Sequence, residues 1–286
     1  MLSYLFCPIN GFAQIKDSTI ITNEKMDFTV TKIEHHKRKG ELYYSWGYNA
    51  EWYTKSNIHI VQPALGNDYT YQGVQGHDHP GWTQQNVLTE GITIPQWSMR
   101  IGYFFGDEKD YGIELNYDHA KYIFEGQQTH LTGTLWNRQV DTSFMFQGDP
   151  SHPLTINNNY YFLNNGANWF EGNFMKRWHI YKIKNENFKV DVITKGGVGF
   201  CFPHVQDCLF GNPNVAHFQI GGFNMGTEAA LRLTFFRYAY LEYCNKLVYA
   251  RYWGLRIYDG TASQGFGAYE MILNLGVSFP IGKRIQ

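Results

Sequence analysis

The sequence predicts an all-β fold: an antiparallel, up-and-down transmembrane β-barrel of about eight strands with long extracellular loops. The first observation is composition. The 286 residues include 21 Phe, 21 Tyr, 8 Trp and 29 Gly, yet only 17% are charged, against a usual ~25%. No stretch approaches ~18 consecutive apolar residues, so a membrane-spanning helix is excluded. A closed barrel needs no such run, because its strands alternate between lipid and lumen. The second observation is period-2 alternation along most of the chain. The third is a strict alternation of tight and long connections. An apolar content of 43% argues against disorder, and a net charge of −1 gives no basis for a nucleic-acid partner.

The N-terminal residues 1–13 read as a signal peptide. Leu2, Tyr4, Leu5 and Phe6 form a short apolar core, and Gly11, Phe12 and Ala13 form a small-x-small cleavage pattern before Gln14. The segment has no basic n-region, from which a translational start upstream of Met1 is expected. Residues 14–40 are polar and read as a periplasmic tail. Its basic cluster, His35 to Lys39, is placed to meet anionic headgroups or simply solvent. The barrel follows over 41–286.

The first strand alternates Leu42, Tyr44, Trp46, Tyr48, Ala50 and Trp52 with Tyr43, Ser45, Gly47, Asn49 and Glu51. The second sets Trp97, Met99, Ile101, Tyr103 and Phe105 against Ser98, Arg100, Gly102 and Phe104. The third sets Tyr111, Ile113, Leu115 and Tyr117 against Gly112, Glu114, Asn116 and Asp118, after a polar turn from Gly106 to Asp110. Two further hairpins are expected, 168–183 with 188–200 and 218–235 with 238–250. The last strand is the clearest: Tyr269, Met271, Leu273, Leu275, Val277 and Phe279 oppose Glu270, Ile272, Asn274, Gly276 and Ser278. Its apolar face is bulky and aromatic at both ends, as at a bilayer interface. Lys176 conflicts with this pattern, because it shares a face with Phe170, Phe174, Trp178 and Ile180. A bulge, or a strand rising clear of the bilayer, would resolve it.

Connections near 107–110, 184–187 and 236–237 are tight; those at 56–92, 123–167, 201–214 and 251–266 are long. Short turns at one end and long loops at the other are the layout of an outer-membrane barrel. Within the long loops, Asp68–Val74, Leu154–Asn157 and Tyr160–Phe162 look extended.

The inward residues include Glu51, Arg100, Glu114, Asp118, Lys189, Asp191, Lys195, Glu228, Arg232, Glu242, Lys246 and Glu270. An eight-stranded lumen is only wide enough for side chains. Charges enclosed there must pair, giving a salt-bridged plug; a proton or ion path is the sharper alternative. No metal or cofactor site is predicted, and no catalytic residue. His77, Asp78, His79 and His59 lie in the first long loop without a completing ligand set. Cys201 and Cys208 flank a six-residue loop and would form a disulfide if their Cα separation permits; Cys244 reads as an unpaired packing residue. Aromatic and amide side chains in 123–167 and 251–266 suit carbohydrate or protein contact, or packing of the loops on one another.

With these strands in view, the chain resembles the small eight-stranded outer-membrane barrels of the OmpA/OmpX type, over roughly 41–281. The strand ending at Phe279 resembles the C-terminal signal read by the barrel-assembly machinery, although Pro280 to Gln286 follow it. The Phe12, Ala13, Gln14 ending resembles signal peptides of Bacteroidota envelope proteins. The resemblance implies a bacterial outer-membrane location and contact with outer-membrane lipid. The expected role is non-enzymatic: membrane integrity, or binding of an extracellular glycan or protein through loops 56–92 and 123–167. Two alternatives stand beside it. One is an outer-membrane lipid-modifying hydrolase using His119 with Ser143 or Ser263. The other is a soluble lipocalin-like carrier, whose apolar side chains would point inward.

Overall fold

The computed structural model describes residues 39–81, 95–107, 109–124, 126–148 and 157–281. All described residues lie in one compact unit, 36–286. The signal peptide at 1–13, the tail to residue 38 and the extended segment at 154–156 lie outside them.

In chain order the strands are β1 (Gly40–Tyr53), β2 (Ser56–Gln62), β3 (Asn67–Val74), β4 (Trp97–Phe104), β5 (Tyr111–His119), β6 (Tyr122–Phe124), β7 (Gln127–Leu135), β8 (Arg138–Phe146) and β9 (Tyr160–Leu163). They continue with β10 (Trp169–Lys182), β11 (Phe188–Cys201), β12 (His204–Leu209), β13 (Asn212–Pro213), β14 (His217–Phe218), β15 (Gly222–Phe235), β16 (Ala239–Ile257) and β17 (Gly260–Ile281). Eight of them close a ring in the order β1, β4, β5, β10, β11, β15, β16, β17. The closure is antiparallel, with Glu41 opposite Pro280 and Tyr53 opposite Ala268. Every neighbour in the ring is antiparallel, as expected of an up-and-down barrel.

Alternation sorts the residues as the sequence predicts. On β1, Tyr43, Ser45, Asn49 and Glu51 are buried, while Leu42, Tyr44 and Trp52 are exposed. On β17, Glu270, Ile272, Asn274 and Ser278 are buried; Leu273, Leu275 and Val277 face out. The apolar face therefore points away from the lumen. This contradicts the lipocalin-like alternative, which needs it inside.

Lys176 does face outward, at the short-turn end. It lies opposite Tyr111, the first residue of β5. Its Nζ sits 5.0 Å from the Tyr111 ring and 5.8 Å from the Trp178 ring. An ammonium among aromatic rings at an interface carries little of the penalty it would meet at mid-depth. A bulge follows between His179 and Tyr181, so His179 turns inward while Ile180 and Tyr181 both face out.

The long connections fold into a second body above the ring. β16 and β17 run on past the barrel, with 19 and 22 residues, whereas a tilted transmembrane strand needs only ~9–11. Residues 251–266, expected as a loop, are thus mostly hairpin, interrupted by a register shift between Tyr252 and Leu255. Gly254 serves that shift at φ +62, a conformation open to glycine at no steric cost. The upper end of β17 pairs with β2, and the sheet continues through β3 and β7 to β8. A smaller sheet joins β13, β12, β9 and β6, with β14 on β12. Their facing apolar sides form one core around Ile58, Ile60, Tyr71, Phe124, Phe146, Tyr161, Trp169, Tyr252 and Phe266. This core roofs the long-loop end of the barrel.

Candidate functional site

The lumen of the barrel is the most unusual environment in the molecule, because it encloses charged side chains in ordered layers. At the short-turn end Arg177 grips Asp110 with two bonds, of 2.9 and 3.0 Å, and Glu41 with a third of 2.9 Å. Its guanidinium stacks 3.9 Å from the centre of the Phe104 ring. His179 joins Asp110 at 2.7 Å and Asp191 at 2.5 Å. Above them Arg232 donates to Glu242 at 2.5 Å, held between the Tyr43 and Tyr240 rings at 4.3 and 4.0 Å.

At mid-height the network is continuous. Lys195 reaches Glu114 and Glu228 at 2.8 Å each and Glu242 at 3.3 Å. Arg100 bonds Glu228 at 3.0 Å and Asp118 at 3.2 Å. Lys246 bonds Asp118 at 2.6 Å and Glu171 at 2.7 Å. Tyr43 donates to Glu114 at 2.5 Å. Arg100 and Glu114 have no exposed side-chain surface. Each charge is thus offset within a medium that would otherwise expel it. The plug, rather than an open path, is the arrangement present.

The top layer is acidic and capped. Glu51 lies directly across from Glu270, and the Asn49 amide donates to both at 2.7 Å. Gln96 also donates to Glu51. Asp78 descends from the roof to accept the Glu51 backbone N–H at 2.8 Å and that of His79 at 2.7 Å. The middle residue of the His77, Asp78, His79 triplet thus pins roof to rim. His77 itself is placed by backbone bonds to Ile123.

All twelve inward candidates from the sequence sit on the lumen face; Lys189 alone is only half-buried. Glu41, Asp110, Glu171, Arg177 and His179 belong to the same network and escaped the reading. Glu171, Asn173, Met175 and Arg177 alternate cleanly with the aromatic face of β10, so the signal was present there.

Several chemical expectations are now resolved. Cys201, Cys208 and Cys244 are buried thiols outside any disulfide, so the disulfide between Cys201 and Cys208 is not formed. Cys244 packs in the lumen, its Sγ 3.5 Å from a Glu242 oxygen. Among the described residues, the one cluster with metal-ligand proximity is Glu228, Glu242 and Cys244. Its two carboxylates already meet Arg100, Lys195 and Arg232, which leaves no charge for a metal.

The hydrolase alternative loses its geometry. His119 shares the outward face of Tyr117, stacks on Trp97 and meets Asn168 Oδ1 at 2.8 Å. Asp118 points the other way, into the lumen. Ser143 lies opposite His130 and Ser263 opposite His59; those histidines bind Asp141 and Asp68 at 2.6 and 2.7 Å. Among the described residues no hydrogen bond joins either serine hydroxyl to its facing histidine, and neither serine is brought to His119. His119→Ala is expected to leave envelope lipid composition unchanged in lipid profiling of cells with the variant; altered acylation would revive the enzyme reading.

No protein-family model matches the sequence, and no curated protein matches it. Solved structures similar to the chain include Ail, the attachment invasion locus protein of Yersinia pestis, in complex with the heparin analogue sucrose octasulfate. That similarity has 9% identity, covers 84% of this chain and 99% of the other, and has a TM-score of 0.32. Another is the outer membrane protein OprG from Pseudomonas aeruginosa, with 9% identity, coverages of 86% and 99%, and a TM-score of 0.38. A third is Neisserial surface protein A, with 6% identity, coverages of 85% and 97%, and a TM-score of 0.30. The barrel assignment stands on the closed strand ring and its two contrasting faces.

Proposed function

We propose that this chain is a non-enzymatic protein of the bacterial outer membrane, in which the eight-stranded ring is the anchor and the roof is the working part. The observation that carries this reading is the pairing of an apolar outer face with a lumen sealed by ion pairs. Such a barrel sits stably in lipid and conducts no solute, so any recognition falls to the surface above it. The orientation follows from the turns: short ones periplasmic, the roof extracellular.

The roof suits contact with a glycan or protein. The outer face of its larger sheet presents Thr70, Gln72, His130, Thr132 and Asp141, with Trp136 exposed at the β7–β8 hairpin tip. Hydrogen-bonding side chains beside an exposed indole suit polar, ring-shaped ligands. Membrane integrity is the other role the anchor serves. The strand ending at Phe279 supports delivery by the barrel-assembly machinery. Origin in a Bacteroidota-type envelope rests on residues 11–14 alone.

Heat-modifiable migration tests the reading. After detergent extraction of outer membranes, the unheated protein is expected to run as a compact band that shifts on boiling. Recovery solely in the soluble periplasmic fraction would contradict it.

A further inference from the structure

We propose that the roof binds a monovalent cation of the sodium or potassium class at the buried carboxylate of Asp207. Asp207 lies on β12, wholly buried, and neither of its carboxylate oxygens makes a hydrogen bond of normal geometry. No cationic side chain among the described residues pairs with it. The Tyr258 backbone N–H is the one donor turned toward it. Among the described residues, the buried carboxylates of the barrel are offset by arginine, lysine, histidine or amide donors; this one is not.

Three tyrosine hydroxyls share its surroundings. Tyr161 is its register partner across β9 and β12, so the two side chains leave the sheet on one face. Tyr69 and Tyr71 occupy one face of β3, buried, with ring centres 5.3 Å apart. All three phenols are subject to the Asp207 charge. The Tyr161 hydroxyl, like the carboxylate, lacks a hydrogen bond of normal geometry, and the Tyr69 and Tyr71 hydroxyls have each other as partner. Cys208 and His204 belong to the opposite face of β12 by parity, so the donor set is all oxygen.

The chemistry of that set selects the ligand. Carboxylate and hydroxyl oxygens are hard donors and prefer hard cations. One negative charge in a neutral lining is matched by one positive charge. Complete burial excludes a bulky organic ligand. An isolated buried carboxylate is costly to desolvate, and a bound cation offsets that cost. The rival is a proton on Asp207, which burial alone would favour by pushing the carboxyl well above its ordinary range.

Amide hydrogen exchange across β12 separates the two. The full chain in detergent micelles, at mildly alkaline pH, is compared in sodium, potassium and N-methylglucamine chlorides of equal ionic strength, alongside Asp207→Asn. Exchange of His204–Leu209 is expected to slow saturably in sodium or potassium, about tenfold at ten times the dissociation constant. The Asp207→Asn protein is expected to exchange at one rate in all three salts. Identical wild-type exchange in all three salts overturns the proposal, as does a cation effect that survives in Asp207→Asn. Should that variant fail to fold, Tyr161→Phe removes one oxygen donor and is expected to raise the half-saturating cation concentration; an unchanged value overturns the assignment.

Discussion

Arg100→Met is expected to destabilise the barrel by about 3–5 kcal/mol, the range seen when one partner is taken from a buried ion pair. Arg100 is completely buried and bonds both Asp118 and Glu228. Methionine fills comparable volume but leaves those carboxylates facing each other with only Lys195 and Lys246 to offset them. The cost is uncompensated charge rather than lost packing. The double variant Arg100→Met, Glu228→Gln should therefore recover part of the loss, a coupling that a double-mutant cycle measures directly. Urea unfolding of protein refolded into lipid vesicles reads both. A loss below about 1 kcal/mol would mean that water reaches the network and screens it.

The second large effect tests the outer face. Leu273 lies on β17 between the aromatic residues Tyr269 and Phe279, and half of its surface is exposed. Leu273→Arg is expected to cost about 2–4 kcal/mol in vesicles, the penalty for an arginine near the bilayer midplane. Tyr269→Arg, toward the end of the same apolar stretch, should cost less, nearer 0–1 kcal/mol beyond the lost ring contact with Trp52. A depth-independent cost would argue that this face does not meet lipid.

The barrel was readable in the sequence because its signal is local and repeated. Strands of 14 residues with bulky residues at every second position declare both their faces. Turn and loop lengths supplied the topology, and charged residues on the polar face supplied the plug. The roof was not readable, for reasons that lie in its construction. β6 and β9 have three and four residues, too few to establish a period. Their pairing order, β6 to β9 to β12, joins segments far apart in the chain. Residues 251–266, expected as a loop, are mostly hairpin in the fold, and two glycines there and just beyond it sit in close quarters. A Cβ at Gly267 would lie 3.2 Å from the Thr54 side chain, and one at Gly265 would lie 3.0 Å from Arg251.

The candidate site divides in the same way. Arg100, Lys195 and Glu228 announce themselves as polar residues at alternate positions within apolar strands. Asp110 does not, because it belongs to a turn and reaches the lumen only through Arg177 and His179. Asp207 carries no pattern at all: it is an ordinary aspartate in a Gln, Asp, Cys run until two sheets close over it. His119 and Ser143 illustrate the converse. Residue types that suggest catalysis were placed by the fold far apart on the one large sheet, His119 on β5 and Ser143 on β8 at its far edge.

The central claim is that the chain crosses the outer membrane with its roof outside, and sidedness tests it most directly. The three described cysteines are buried, so a single engineered cysteine on the surface reports its own position. Asn137→Cys, at the tip of the β7–β8 hairpin, is expected to react with a membrane-impermeant maleimide on intact cells. Asn185→Cys, in the short turn after β10, is expected to react only after the outer membrane is permeabilised. Equal labelling of both sites on intact cells, or labelling of Asn185→Cys alone, would contradict the account.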